Sequence, residues 1–242
     1  MPRYPASSYG ASFSFGPGPM STPLKGLIAA NVLVFIAQWM APDILFVLGL
    51  QPRAVLEQGR LWQLVTYMFL HGGASHILFN MLGLWMFGTE LERIWGTRYF
   101  LKYYFVTGVG AGALTVAVSF LLSAQLYDAW VIGASGAVYG LLLAYGLYFP
   151  DRPIYLYLVF PIKAKYFVMI MGAFTFYMSM SGGSGVAHLA HLGGLVVGYL
   201  YLKGGRFQPL GEIKYRYLRW KMNRARKRFD VYAGGKHDRH IH

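Results

Sequence analysis

Among the polar side chains inside the uncharged stretches of this sequence, seven matter for chemistry: His71, His76, Asn80, Ser135, Tyr139, His188 and His191. A polar group in an apolar span is costly unless it lines a cavity or meets a partner, so each marks a place where chemistry is possible. The chain has no cysteine, which excludes a cysteine nucleophile, a disulfide scaffold and a thiolate metal site. The candidate nucleophiles are therefore hydroxyls, and a serine hydroxyl needs an adjacent base at neutral pH. On a helix, His76 and Asn80 are four apart and share a face, whereas His71, five before His76, points elsewhere and suits the helix start. Ser135 lies in Gly133-Ala134-Ser135-Gly136, and Gly133, Gly136 and Gly140 fall on one face at helical spacing. Ala190, Gly194 and Gly198 repeat at four-residue spacing around His191. Small-residue ridges of this kind let two helix backbones approach closely in lipid, which would bring Ser135 Oγ within reach of a ring nitrogen of His191. The oxyanion that develops on acyl transfer then needs donors, and His76, Asn80 and the Ser135 backbone N–H supply them.

These groups have to be carried by membrane-spanning elements. Of 242 residues, 56% are hydrophobic and 13% charged, whereas an average soluble chain carries about 25% charged residues. Uncharged stretches at residues 26–40, 61–89, 103–127 and 129–150 give four spans. A fifth stretch, 166–202, is split into two spans by Ser181-Gly182-Gly183-Ser184-Gly185, a turn composition that one helix tolerates poorly. The expected architecture is thus an all-α membrane protein, a bundle of six transmembrane helices. Residues 41–60 read as a large loop lying partly in the interface, and 154–162 as an interfacial loop feeding span five. Residues 1–24, rich in Ser, Gly and Pro, read as a flexible lead-in without the features of a signal peptide. The membrane domain covers 25–203, and 204–242 form a basic tail. The formal net charge is +13, yet 12 of the 22 Lys and Arg lie after Tyr201. A terminal basic block beside apolar spans faces anionic lipid more simply than nucleic acid. Arg93, Arg98, Lys102, Arg152, Lys163 and Lys165 share a side with that tail, against Arg53 and Arg60 opposite. Positive-inside reasoning then puts both termini in the cytoplasm. An internal repeat of the kind common in secondary transporters is not visible.

Three motifs in order resemble the rhomboid intramembrane serine proteases: His71-x4-His76-x3-Asn80 in span two, Gly133-Ala134-Ser135-Gly136 with Tyr139 in span four, and Ala190-His191-x2-Gly194-x3-Gly198 in span six. Gly88-x3-Glu92-x3-Gly96, with Arg98 and Phe100, is similar to the family's segment between its second and third helices, and the likeness covers roughly residues 25–202. The resemblance implies a six-helix rhomboid-type bundle that cleaves transmembrane segments of membrane proteins with a Ser-His dyad, without cofactor or metal. It makes Ser135 the nucleophile, His191 the general base, His76 and Asn80 oxyanion donors, and Tyr139 a ring stacked on His191. Gly133, Gly136, Gly194, Gly198 and His71 support them. The sequence agrees on the missing acid, since none of the spans holds Asp or Glu. One departure is Trp62-Gln63, where the family often has Trp-Arg. The expected partners are membrane-protein substrates and lipid, in a bacterial-type inner membrane.

Other readings attach to the same residues. Small-residue ridges serve helix packing as well as catalysis. His71 suits a cap or a carbonyl partner, Tyr139 an interior hydroxyl satisfied by backbone, and His188 faces the outer cavity or loop. A zinc site from His71, His76, His188 and His191 has imidazole ligands, but helical spacing scatters the first two rings and no carboxylate stands by to orient them. A catalytically inactive rhomboid-like protein that binds membrane proteins would usually lack Ser135 or His191, and a transporter or channel would need buried charge. The segment 210–230 reads either as an amphipathic helix with Leu218, Met222, Ala225 and Phe229 on one stripe, or as a solvated basic tail.

Overall fold

The computed structural model describes residues 17–122, 124–156, 160–180 and 185–206, and helices carry most of them. The order is α1 (Thr22–Met40), α2 (Ile44–Leu48), α3 (Pro52–Gln58), α4 (Gln63–Thr66), a 3-10 turn (Tyr67–Phe69), α5 (Ala74–Trp95), α6 (Thr97–Leu122), α7 (Ala124–Asp128), α8 (Ser135–Tyr148), β1 (Pro153–Leu156), β2 (Phe160–Lys163), α9 (Ala164–Met180) and α10 (Gly185–Arg206). Thr22–Met40 and Thr97–Leu121 are each long and apolar enough to cross a bilayer. The chain divides into two units, Met1–Leu202 and Lys203–His242. The segment 210–230, the Ser-Gly turn at 181–184 and the first sixteen residues lie outside the described residues.

Local chemistry sets the element ends. The Ser21 hydroxyl accepts the Leu24 N–H at 3.1 Å and Pro23 sits in the first turn, so α1 starts inside the stretch expected to be a flexible lead-in. The second apolar stretch does not form one helix from Leu61. Gly72-Gly73 interrupts it, and α5 begins only at Ala74, because two glycines in a row lose too much backbone entropy to hold a helix. Likewise α8 starts at Ser135 rather than near Ala129, since Gly133 has φ +120°, a conformation no helix contains. Residues just before it run extended, with Leu50 and Val131 exchanging backbone hydrogen bonds of 3.0 and 2.8 Å. The loop expected over 154–162 carries an antiparallel hairpin with Ile154 opposite Ile162, so the fold is predominantly rather than wholly helical. At its base Asp151 meets Lys165 at 2.9 Å and Lys163 at 3.2 Å.

The core gathers around α6, which packs most extensively on α8. Phe100, Tyr103, Tyr104 and Ala111 of α6 are buried with Ala137, Leu141 and Ala144 of α8. The Tyr103 hydroxyl donates to Gly140 O at 2.8 Å, and the Tyr67 hydroxyl to Gly108 O at 2.7 Å. Buried polar groups in an apolar surround need such partners. Large apolar side chains cover the outside instead: Leu33, Ile36 and Trp39 on α1, and Met169, Ile170, Phe176 and Tyr177 on α9 are exposed, an inversion suited to a lipid solvent. Trp62, Gln63 and Thr66 clamp the α2 region, with hydrogen bonds to Val47 O at 2.9 and 3.4 Å and to Leu48 O at 2.6 Å. Gln63, standing where the family often has arginine, is buried and also accepts the Gln51 N–H at 3.1 Å.

Candidate active site

Ser135 is the first residue of α8, and Ala134 O accepts the first helical bond, from Val138 N at 3.0 Å. The N–H groups of a helix's first turn lack intrahelical acceptors and carry the positive end of its dipole. The serine therefore stands among free amides. Gly133 makes that possible: its φ of +120° turns the chain into α8, and a Cβ there would lie 2.7 Å from His76 Nε2 and 3.6 Å from Ser135 Oγ. The missing methyl leaves a space that both side chains border.

His191 Nε2 is 2.7 Å from Ser135 Oγ. The two residues are 56 positions apart, and their approach follows from the glycine ridges. A Cβ on Gly194 would land on the Gly136 carbonyl oxygen, and one on Gly198 would lie 2.5 Å from the Tyr103 hydroxyl and 3.3 Å from Gly140 Cα. On its other side a Cβ on Gly193 would lie 3.0 Å from Ala111 Cα. So α10 sits against both α6 and α8 at backbone distance, and His191 follows from that seating. The Tyr139 ring stacks on the His191 imidazole, 4.4 Å between centroids and 5° between planes. His191 Nδ1 is buried with no hydrogen-bond partner among the described residues.

On α5, the Gly72 N–H donates to His76 Nδ1 at 3.2 Å. In a neutral imidazole whose Nδ1 accepts, Nε2 carries the hydrogen, so His76 presents a donor to the space beside Gly133. Asn80 is buried and donates one amide hydrogen to His76 O at 2.9 Å. His71 lies in the turn before α5 rather than on the helix, so helical spacing does not govern it. Its ring meets that of His76 edge-on at 5.1 Å, and its backbone N–H donates to Gln38 Oε1 at 3.2 Å. His188 lies edge-on to His191 at 5.7 Å and to Phe174 at 6.5 Å. The four histidines thus form two pairs, and among the described residues no three His, Cys, Asp or Glu are placed to hold a metal together.

The Rhomboid domain model matches residues 58–205, more than half of the chain. The chain belongs to the rhomboid family. It is 31% identical to RHOMBOID-like protein 12, mitochondrial, of Arabidopsis thaliana over 76% of its own length and 59% of that protein. Likenesses of 32% to rhomboid protease GluP of Bacillus subtilis and 30% to rhomboid-like protein 16, chloroplastic, of Arabidopsis thaliana cover 65% and 75% of the chain, but 28% and 62% of those relatives. The chain therefore spans less than two thirds of each of these relatives. Family and apolar helices together make this rhomboid an integral membrane protein.

Two contacts of the site went unread in the sequence. Thr175 of α9 is buried, and its hydroxyl is hydrogen-bonded to that of Tyr139 at 3.2 Å. The signal was a lone threonine in an apolar stretch, which usually means a bond to its own helix. The Gly72 N–H that fixes the His76 tautomer gave no signal, since backbone orientation in a turn has no residue code.

Proposed function

We propose that this rhomboid is an intramembrane serine endopeptidase working through a Ser135–His191 dyad. The observation that carries the reading is the 2.7 Å approach of His191 Nε2 to Ser135 Oγ in a member of a family that includes proteins named as proteases. As Ser135 Oγ attacks a scissile carbonyl carbon, its proton passes to His191 Nε2. The carbonyl oxygen becomes an oxyanion beside Gly133, where the Ser135 N–H, His76 Nε2–H and the second amide hydrogen of Asn80 serve as donors. The imidazolium then protonates the leaving amine; a water that gives its proton to the same ring attacks the acyl-serine, and the ring returns that proton to Ser135 Oγ as the ester bond breaks. Tyr139 keeps that ring in plane where a triad would use a carboxylate. Gly133, Gly136, Gly194 and Gly198 make room for the approach.

Six helices, α1, α5, α6, α8, α9 and α10, are read as the spans of a membrane domain over residues 25–203, with 204–242 as its basic tail. Both termini are read as cytoplasmic on the loop charges, and a bacterial-type inner membrane is the proposed location, although relatives named mitochondrial and chloroplastic stand beside the bacterial one. Substrates would be membrane proteins whose spanning segments unwind, because a protease must reach carbonyls that a helix keeps bonded.

The test uses purified protein in liposomes with a helix-destabilised single-span substrate. Cleavage should occur, a fluorophosphonate should modify Ser135, and both should vanish in Ser135→Ala and in His191→Ala. A chelator should change neither. Cleavage by Ser135→Ala at the parental rate overturns the dyad; an inactive membrane-protein-binding relative predicts neither adduct nor cleavage.

A further inference from the structure

A general base without a carboxylate has to be oriented by something else, and in this site the support of His191 is incomplete. Its Nε2 is spent on Ser135 and its Nδ1 has no partner among the described residues. What holds the plane of the ring is the face of Tyr139, nearly parallel at 5°. A stacked ring resists tilting, but the Tyr139 side chain must itself be fixed, or both rings turn together about their own bonds. Its hydroxyl is fixed from another helix, by Thr175 at 3.2 Å.

The surroundings of Thr175 make that hydrogen bond more than incidental. Along α9, Ala164 and Thr175 are the buried residues, and they do different things. Ala164 sits at the lower end, its N–H on Arg152 O at 2.9 Å, beside Lys165 N on Pro150 O at 3.1 Å. Thr175 is three turns higher, while Met169, Ile170, Phe174, Phe176 and Tyr177 around it are exposed. In hydrocarbon a threonine hydroxyl seeks an acceptor, and a bond across helices forgoes the local carbonyl for a distant acceptor, here a hydroxyl oxygen. Here the distant one belongs to the tyrosine that backs the base.

We propose that Thr175 is a positioning residue for the catalytic base: through its hydroxyl it locks Tyr139, and through the Tyr139 ring it holds His191 Nε2 on Ser135 Oγ. This rests on the dyad reading above. The hydrogen-bonded and stacked series Ser135, His191, Tyr139, Thr175 does for the imidazole what an acid does in a triad, with orientation supplied by α9 instead of by a charge. A change that frees the Tyr139 hydroxyl leaves every reacting atom in place and lowers only the fraction of time the base is aligned. It should act on kcat and leave KM alone.

The experiment compares the full chain with Thr175→Val, Thr175→Ser and Tyr139→Phe in liposomes. It measures kcat and KM on the single-span substrate, the rate of fluorophosphonate labelling at Ser135, and thermal unfolding. Thr175→Val, which keeps the shape and removes the hydroxyl, should lower kcat and the labelling rate about three- to tenfold, the weight of one neutral hydrogen bond, with KM unchanged and melting only slightly lowered. Thr175→Ser should recover most of that loss, and Thr175→Val with Tyr139→Phe should be no slower than either alone, because both remove the same bond. No labelling of Ser135 in the parent chain overturns the dyad, and this inference with it. A labelled parent with equal rates in Thr175→Val overturns the inference alone, as does a loss that Thr175→Ser fails to restore. Should Thr175→Val not fold, Tyr139→Phe removes the same hydrogen bond from the other side, and a parental kcat in that variant overturns the inference too.

Discussion

At the scale of single residues, catalysis depends on hydrogen-bond donors and acceptors placed within tenths of an ångström. The Gly72 N–H on His76 Nδ1 leaves Nε2–H as the donor facing the space beside Gly133. His76→Ala and Asn80→Ala should each lower turnover by about 2 to 4 kcal/mol of transition-state stabilisation, the usual weight of one oxyanion donor, with melting unchanged. Loss should be partial, since the Ser135 N–H remains; parental turnover in both variants removes the assignment. The base has to be neutral to accept a proton, so kcat should fall on acidification as the imidazole takes one up. A pH profile of kcat measured on reconstituted protein checks this, and a kcat that stays level until the protein unfolds in acid argues against histidine as the base. Gly133→Ala should harm activity more than stability. The new methyl is strained at φ +120° and occupies the space bordered by His76 and Ser135.

At the scale of elements, close seating of helices decides whether those residues meet. Changing Gly194 or Gly198 to Leu forces side-chain atoms against the Gly136 carbonyl or the Tyr103 hydroxyl. The variants should lose thermal stability together with labelling of Ser135; lost activity with an unchanged melting point means the glycines serve something other than contact. The hairpin between α8 and α9 gives a weaker prediction. The ammonium groups of Lys165 and Lys163, in that order of effect, hold the Asp151 carboxyl below its usual range. A carboxyl depressed by folding contributes stability above its unfolded value, near 3.9, and loses it as pH falls through the depressed one. Protection of the hairpin amides, taken relative to the intrinsic exchange rate at the same pH, should therefore fall on acidification below about pH 4, and Asp151→Asn should remove that dependence. The effect should be small, as the group is exposed and screened.

At the scale of the whole molecule, Glu92 joins three helices. Its two carboxylate oxygens accept the Ser21 hydroxyl at the start of α1 and the Thr97 hydroxyl at the start of α6, each at 2.6 Å, while the carboxylate itself stands near the end of α5. Glu92→Ala should lower unfolding stability by roughly 3 kcal/mol, since bonds to a buried charge weigh more than neutral ones and leave two hydroxyls unpaired. Thermal unfolding in detergent, with retained labelling of whatever fraction stays folded, checks it. The proposed orientation is tested by fusing a cytoplasm-active and an export-active reporter to each terminus: only the former should function at both.

Composition alone settled that the solvent of this fold is lipid, because a chain with so few charges cannot cover itself with polar surface. The order of motifs around His76, Ser135 and His191 pointed to the family. Polar residues are rare in apolar stretches, and in such surroundings their types and spacing carry most of the information. Other features were not legible. Helix starts at Ala74 and Ser135, well inside apolar stretches that read as continuous spans, depend on where Gly72-Gly73 and Gly133 break the backbone. Hydropathy has no term for that break. The stacking of Tyr139 on His191 was expected only through the family resemblance, and the tautomer of His76 and the hold of Thr175 on Tyr139 belong to the tertiary structure. The tautomer follows from the path of the turn at Gly72, whereas the ring contacts of Tyr139 join residues from different helices, which meet only at the depth to which those helices approach.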